Sequence, residues 1–232
     1  ENRTVRNETR YTFTGLNGDR WGEGLDIRDG VVFVGTPGQG RVAAYNLSDT
    51  NYSNWRVVVN GSLTTTPLLP AGTFGSKAIA DGTGMNGAEI VATGSNGFLS
   101  GAPDGKAVNV YSFTGSALTS SSITSGELGF GASDTLSQAG SRILAGAAGL
   151  DSFSEAGEAF LYNTGTSTPS VTLKPFTLDT SVTPNVMIDD TQSVQFGVGT
   201  AIVGEGHYIV GTRDYETIYN FRRRGPEWTA LS

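Results

Sequence analysis

Residues 130–147 have the sequence FGASDTLSQAGSRILAGA, and residues 158–163 have the sequence EAFLYN. This part of the chain contains three features in a fixed order: a phenylalanine–glycine pair, an apolar segment ending in glycine and small residues, and a second apolar segment ending in tyrosine. Both apolar segments are short, and they are bounded by Gly, Ser, Asp and Asn residues that favour turns. Such segments predict β-strands joined by tight turns.

The same three features occur four times along the chain. The aromatic–glycine pairs are Trp21-Gly22, Phe74-Gly75, Phe130-Gly131 and Phe196-Gly197. The apolar segments cover residues 32–36, 90–94, 143–147 and 208–212, and the tyrosine segments end at Tyr45, Tyr111, Tyr162 and Tyr219. The starting positions of successive pairs differ by 53, 56 and 66 (74−21, 130−74, 196−130). Four copies of a three-part pattern indicate an internal repeat.

The length and content of the repeat predict the fold. A unit of about 50 residues with about four strands is the size of one β-propeller blade. No segment has a sustained 3.6-residue apolar period, so we expect little helix. We therefore predict an all-β, antiparallel β-propeller of four blades, forming a single domain over residues 1–232. The repeats would cover approximately 15–60, 68–125, 126–180 and 190–232, and residues 1–14 would pair with the C-terminal segment to close the ring.

The aromatic–glycine pairs give the chain a resemblance to the FG-GAP repeat family, whose repeats form the blades of integrin α-subunit propellers and occur in many bacterial and algal surface proteins. Phe74-Gly75, Phe130-Gly131 and Phe196-Gly197 match the first half of that motif, and Trp21-Gly22 is a conservative variant. We expect these pairs to be structural: the ring would fill the space between blades, and the glycine would let neighbouring blades approach closely. The resemblance implies adhesion or ligand recognition through the propeller loops.

The second half of the motif is degenerate, with the sequences Gly35-Thr36-Pro37, Gly146-Ala147-Ala148 and Gly211-Thr212-Arg213. The second repeat does contain Gly101-Ala102-Pro103, but its offset from Phe74 is 27 (101−74). In the other copies the corresponding offset is between 14 and 16 (35−21, 146−130, 211−196). The offset of Gly94 is nearer to these values, at 20 (94−74), which would leave Gly101 in an inserted loop, and the sequence alone leaves the register of this repeat open.

Many FG-GAP blades carry a calcium loop of alternating aspartates ending in glycine. The corresponding segments of this chain are residues 26–30, 81–87 and 134–140. None has three oxygen-bearing side chains at alternate positions, as a calcium site of high coordination number prefers. We therefore expect no metal or other cofactor, with calcium in one blade as the alternative. The Asp-Gly pairs of these segments are interpreted as turn residues.

Composition restricts the setting in which the protein works. The formal charge of −7 and a pI near 4.7 argue against nucleic acid and anionic membranes as partners. Cysteine is absent, which excludes thiolate chemistry, and no apolar run approaches the length of a membrane span. The sequence begins at Glu1, which suggests processing or a longer product. Five sequons favour a secreted or cell-surface glycoprotein, with candidate acceptors Asn2, Asn7, Asn46, Asn51 and Asn60.

Residues able to support catalysis are few. The single histidine, His207, precedes a predicted strand, and no Gly-x-Ser-x-Gly elbow accompanies it, so it is interpreted as a polar turn residue. A pair of carboxylates could cleave a glycoside. The candidates in the third repeat are Glu127, Asp134, Asp151, Glu155 and Glu158, and they are interpreted as solvated loop residues, as is Asp189-Asp190. Arg222-Arg223-Arg224 is interpreted as a solvated loop rather than a phosphate contact.

Aromatic residues provide one further kind of candidate, because exposed rings can stack on sugars. The candidates are Tyr11, Tyr52, Trp55, Tyr215 and Trp228. Trp55 and Trp228 follow the repeat tyrosines Tyr45 and Tyr219 at nearly equal offsets (55−45, 228−219), which predicts that both lie on outer strands instead.

These observations favour a non-catalytic, extracellular module that binds protein or glycan through its loops, with no catalytic residues. The alternative is a structural subunit of a surface filament, appendage or virion, assembled through contacts between copies. A carboxylate-based glycoside hydrolase is the third hypothesis.

Overall fold

The computed structural model describes residues 24–36, 41–47, 56–59, 62–64, 90–94, 97–102, 106–114, 117–132, 135–149, 156–179, 186–189, 195–213, 217–224 and 227–231. These residues form strands and turns, with no helix among them. The predicted all-β class is therefore confirmed. Every strand pairing in this part of the chain is antiparallel, and no sheet closes on itself.

Most strands belong to four meanders in which sequential strands are hydrogen-bonded neighbours. Sheet 1 consists of β1 (Leu25–Arg28), β2 (Val31–Thr36), β3 (Arg41–Asn46), β4 (Arg56–Val59) and β5 (Ser62–Thr64). Sheet 2 consists of β6 (Ile90–Gly94), β7 (Gly97–Ala102), β8 (Ala107–Thr114) and β9 (Ala117–Thr124). Sheet 3 consists of β10 (Leu136–Ala139), β11 (Arg142–Ala147), β12 (Glu158–Asn163) and β13 (Val171–Leu173). Sheet 4 consists of β16 (Gly199–Gly204), β17 (His207–Gly211), β18 (Ile218–Arg224) and β19 (Glu227–Leu231).

A separate hairpin, β14 (Phe176–Asp179) with β15 (Val186–Asp189), lies in sequence between sheets 3 and 4. Phe176 is buried, and its ring makes edge contacts with Tyr219 and Phe221 of β18, with centroid distances of 5.1 and 5.6 Å. The hairpin lies within the longest interval between aromatic–glycine pairs, the one from Phe130 to Phe196.

The hydrophobic core consists of three clusters, each between two consecutive sheets. The cluster between sheets 1 and 2 includes Phe33 and Phe98, whose ring centroids are 5.4 Å apart. The cluster between sheets 2 and 3 includes Leu99 and Ile143, and the cluster between sheets 3 and 4 includes Leu144. Strand β11 thus contributes adjacent residues to two clusters, which explains why it is a continuous apolar run rather than an alternating one.

The sheets also meet through their first strands. Strand β1 contacts β6, β6 contacts β10, and β10 contacts β16, in chain order. Among the described elements, no comparable contact joins β16 to β1. The four meanders therefore form a series in which each sheet packs on the next.

The strand pairing corrects the expected position of Gly94. Residues Ile90–Gly94 are the first strand of sheet 2, whereas the matching glycines Gly35, Gly146 and Gly211 lie on second strands. The second strand of sheet 2 is β7, and its Gly101 pairs with Val108 as Gly35 pairs with Val42. Gly101 therefore lies in a strand rather than in an inserted loop, and it occupies the repeat position of Gly35, Gly146 and Gly211.

Pairing also corrects the tyrosine of the fourth repeat. Tyr45, Tyr111 and Tyr162 each pair with the residue three positions before the second-strand glycine. In sheet 4 that residue is Tyr208, and its partner is Phe221 rather than Tyr219. Phe221 is therefore the equivalent of the repeat tyrosines.

Candidate functional site

Phe196 of the fourth aromatic–glycine pair fills the space between sheets 3 and 4. Its side chain has 0% exposure and belongs to the same cluster as Leu144 of sheet 3 and Tyr208 of sheet 4. Its backbone N–H donates to Ala156 O at 2.9 Å, and its ring makes an edge contact with Tyr219 at a centroid distance of 5.3 Å. Phe196 is thus held by ring packing and by a backbone hydrogen bond to the segment that leads into β12.

Gly197 lies where the backbones of the two sheets approach each other closely. Its φ is +102°, and a Cβ at this position would lie 2.6 Å from Glu158 O. A Cβ on Gly146 would lie 2.0 Å from Gly197 O, and one on Gly157 would lie 2.2 Å from Phe196 O. Three glycines from two repeats are therefore required for the close approach at this junction.

Phe130 occupies the corresponding place between sheets 2 and 3. Its side chain has 0% exposure, and its ring packs edge-on against Phe160 and Tyr162 at 5.8 and 6.3 Å. Gly131 beside it has a φ of +77°. The pairs Trp21-Gly22 and Phe74-Gly75 lie outside the described residues. The two pairs that can be described are packing elements at sheet junctions.

The first strands are joined by hydrogen bonds from the backbone of one sheet to a side chain of the previous one. Ala92 N donates to Asp26 Oδ2 at 2.7 Å, and Ile202 N donates to Ser137 Oγ at 2.9 Å. Asp26 pairs with Phe33 and Ser137 pairs with Leu144, each two positions before a repeat glycine. The two bonds are therefore equivalent by repeat position.

The junction between sheets 2 and 3 differs, because Val91 occupies the position of Asp26 and Ser137 in sheet 2. Here Arg28 of β1 reaches across sheet 2. Its Nη1 donates to Ala92 O at 3.1 Å and to Gln138 Oε1 at 2.9 Å. One guanidinium thus connects the first strands of three sheets.

These contacts also involve Asp26, which belongs to the first segment considered for calcium, residues 26–30. Both carboxylate oxygens of Asp26 accept backbone hydrogen bonds, Oδ1 from Ile27 N and Oδ2 from Ala92 N, each at 2.7 Å. Asp29 and Gly30 have φ values of 49° and 76° and form the turn of the β1–β2 hairpin. Across the described residues, no three His, Asp or Glu side chains are grouped as metal ligands. Residues 81–87 and Asp134 lie outside the described part of the chain.

The candidate catalytic residues that the structure describes lie on separate elements. His207 is the first residue of β17, and its Nε2 is 2.6 Å from Asn220 Oδ1, so this nitrogen donates to an amide oxygen. Glu127 is exposed in the connection between β9 and β10. Glu158 begins β12 and pairs with Lys174 Nζ at 3.0 Å. Asp134, Asp151, Glu155 and Asp190 lie outside the described residues, and Asp189 ends β15.

The remaining sequence candidates are distributed as follows. Asn46 is the last residue of β3, and the other four candidate acceptors, Asn2, Asn7, Asn51 and Asn60, lie outside the described residues. Trp228 lies on β19, the outer strand of sheet 4, whereas Tyr11, Tyr52, Trp55 and Tyr215 are also outside. In the described part of the chain no helix is both long and apolar enough to cross a membrane.

A cleft of about 370 Å³ opens between two hairpin turns of adjacent sheets. One wall is the β10–β11 turn with Ser141 and Arg142, and the other is the β16–β17 turn with Glu205. Arg223 of β18 completes the charged lining, and the buried Tyr208 also borders the cleft. Two arginines and one glutamate give this cleft a formal charge of +1 in a chain of charge −7.

The hairpin turns place these residues around one cleft. Gly140 and Gly206 have positive φ values of 55° and 74° in the two turns. Arg142 Nη1 donates to Asn163 Oδ1 of the neighbouring strand, and Arg223 N donates to Gly206 O at 2.7 Å. The segment Arg222–Arg224 is thus the end of strand β18 and not the loop predicted from the sequence. No motif in the sequence pointed to Arg142, which belongs to a different repeat from Arg223.

A comparison with protein-family models and with curated proteins finds no match to this chain.

Proposed function

We propose that the four meanders are the blades of a single β-propeller. The support is the repeated junction: each sheet packs on the next through an apolar cluster, and the first strands follow one another in chain order. In a propeller the first strands of successive blades line the central axis, so this order is the one a ring requires.

The two end faces of the series support closure of the ring. The large apolar side chains that are most exposed in the described residues are Leu25 at 64%, Ile27 at 56%, Val203 at 58% and Ile218 at 64%. By strand alternation, Leu25 and Ile27 lie on the face of sheet 1 opposite Phe33, and Ile218 lies on the face of sheet 4 opposite Tyr219. These are the faces that a fourth junction would bring together.

Repeat equivalence identifies a residue pair that tests closure. Ala201 pairs with Ile209, two positions before Gly211, and so corresponds to Asp26 and Ser137. Ile27 pairs with Val32, three positions before Gly35, and so corresponds to Ala92 and Ile202. In a closed ring, Ala201 and Ile27 would therefore face each other.

The chain has no cysteine, so a double variant Ala201→Cys, Ile27→Cys can be cross-linked without a background. In dilute protein, a closed ring predicts a cross-linked monomer on a non-reducing gel. The control Ser137→Cys, Ile202→Cys should cross-link in the same way, because Ser137 Oγ and Ile202 N are 2.9 Å apart. A control that cross-links within the monomer while the test pair gives only dimers would contradict closure.

We further propose that the propeller is a non-catalytic, extracellular recognition module. The observation that carries this proposal is the cleft between sheets 3 and 4, because turns on a rigid scaffold form a concave site with charged side chains. Labelled protein should bind a ligand on a glycan array or from an extracellular protein library. Chemical conversion of a bound glycan would contradict a non-catalytic role.

If the ring stays open, the same apolar end faces favour a second candidate, a structural subunit whose end faces pack against copies of itself. Sedimentation at rising concentration separates the two, since recognition predicts a monomer and assembly predicts ordered polymers. The variant Ile218→Lys should then dissolve the polymers without lowering the melting temperature.

A further inference from the structure

We infer that the cleft between sheets 3 and 4 binds one singly charged acidic sugar unit, bearing either a carboxylate or a sulfate ester. This inference rests on the proposed recognition function and names its ligand class. The argument starts from charge. The charged residues that line the cleft are Arg142, Arg223 and Glu205, two cations and one anion. The sum of +1 complements a ligand group of one negative charge better than a doubly charged phosphate.

The position of the arginines suits an acidic group. A guanidinium offers several N–H donors in a planar fork, which matches the two or three oxygens of a carboxylate or sulfate. Arg142 is anchored through Nη1 to Asn163 on the paired strand, so its orientation is set before a ligand arrives. Arg223 is fixed at its backbone by the bond from its N–H to Gly206 O. The orientation of the Arg142 guanidinium and the backbone position of Arg223 are thus set before a ligand binds.

The size and the rest of the lining suit one sugar ring. A volume of about 370 Å³ is near the lower end of the range for small-molecule sites. Ser141 contributes a hydroxyl, and the two glycine turns place backbone groups at the rim. Ile202 and Tyr208 provide apolar surface. A ligand that carries hydroxyl groups as well as one acidic group can contact all of these features.

The test measures binding of four probes at low ionic strength, by isothermal titration calorimetry or by amide shifts in NMR spectra. The probes are glucuronate, glucose 6-sulfate, glucose and acetate. At least one of the two acidic sugars should bind. Glucose and acetate should bind at least about tenfold more weakly, because glucose lacks the acidic group and acetate lacks the sugar ring. Whichever acid binds better identifies the acidic group. Acetate binding as tightly as the acidic sugars, or neither acidic sugar binding, would overturn the inference.

Three charge variants assign the site. Arg223→Gln should weaken binding of the acidic sugar about tenfold or more, the fold-change expected for a charge-assisted hydrogen bond. Glu205→Gln should tighten it, because a repelling carboxylate is removed. Arg222→Gln changes the net charge equally but lies one position away on the opposite face of β18, so it is the matched control and should leave affinity unchanged.

Equal weakening by Arg222→Gln and Arg223→Gln would show a response to overall charge and would overturn the site. The outcome also separates this inference from the proposed function. If a neutral glycan or a protein binds this chain and Arg223→Gln does not change the affinity, the recognition function is supported and the acidic sugar is rejected as its ligand. Conversion of the bound sugar would instead contradict the non-catalytic proposal.

Discussion

The substitution Gly146→Ala adds one methyl group where sheet 3 packs against sheet 4, and so tests that packing. Gly146 lies in β11, and the added Cβ would be 2.0 Å from Gly197 O, 2.8 Å from Gly197 C and 3.0 Å from Gly197 Cα. Contacts to Cβ atoms essentially never fall below 3.0 Å, so the backbone at Gly197 would have to move by about 1 Å (3.0−2.0). That backbone is held by the bond from Phe196 N to Ala156 O and by the bond from Gly197 N to Gly211 O.

Because the obstructing atoms are backbone, no side-chain rotation can relieve the clash. Overpacking of this kind costs about 1–3 kcal/mol and occasionally more, and the rigid surroundings favour the upper end. For a domain of this size, about 3 kcal/mol corresponds to a fall in melting temperature of roughly 6–12 °C.

Differential scanning calorimetry or thermal circular dichroism measures this change. The matched control is Gly199→Ala, also a strand glycine, where an added Cβ would meet nothing within 4 Å. It should melt within about 2 °C of the parent protein. A Gly146→Ala protein that melts as the parent does, or a control that is equally destabilised, would refute the close approach of sheets 3 and 4.

Four further expectations follow from the described contacts. Phe130→Ala and Phe196→Ala should each lower the free energy of unfolding by about 3–5 kcal/mol in urea titrations, because both rings are fully buried. An unchanged midpoint would contradict their position between sheets. Burial raises the pKa of Tyr162 from 10.0 to about 12, so the folded state keeps this proton at a pH where the unfolded chain loses it. Stability should therefore fall by roughly 2–3 kcal/mol as pH rises from about 10 to 12, and Tyr162→Phe should flatten that part of the profile. Ser137→Ala removes the acceptor of Ile202 N–H and should cost about 1 kcal/mol, seen as a lower urea midpoint than that of the parent. Excess EDTA should leave the melting temperature unchanged, and a fall that calcium reverses would contradict the prediction of no cofactor.

The sequence predicted the strands because strand signals are local. Segments such as Ile143–Ala147 and Glu158–Tyr162 are short apolar runs between turn residues, and both form strands with close to the expected bounds. The repeat could be found because an aromatic residue followed by glycine is an unusual pair, and this pair recurs before a strand. Phe130 and Phe196 do lie between sheets, although only the structure shows that the backbone of Phe196 meets Gly157 of the preceding repeat.

The register of the second repeat could not be predicted because the position of its glycine was counted along the chain from Phe74, and this distance differs between repeats. In this repeat the first strand begins at Ile90, well after the aromatic residue, whereas in the third repeat it begins at Leu136, soon after Phe130. A length difference before the first strand shifts every later position, so counting along the chain puts Gly94 where Gly101 belongs. Strand pairing does not depend on that interval. Gly101 pairs with Val108 in sheet 2, which fixes its place in the repeat.

The cleft shows a different limit of sequence reasoning. Arg223 was visible as part of an arginine run, but its interpretation as a loop residue came from the run alone. Its relation to Arg142 depends on two facts that are not local: sheets 3 and 4 are neighbours, and their first hairpin turns lie on the same side of the junction. Once the repeat is placed in space, the turns at Gly140 and Gly206 become equivalent positions in adjacent sheets. A charged residue near either turn then lines the junction between them. The sequence therefore did not reveal this cleft, because its lining comes from corresponding turns of neighbouring repeats rather than from one contiguous motif.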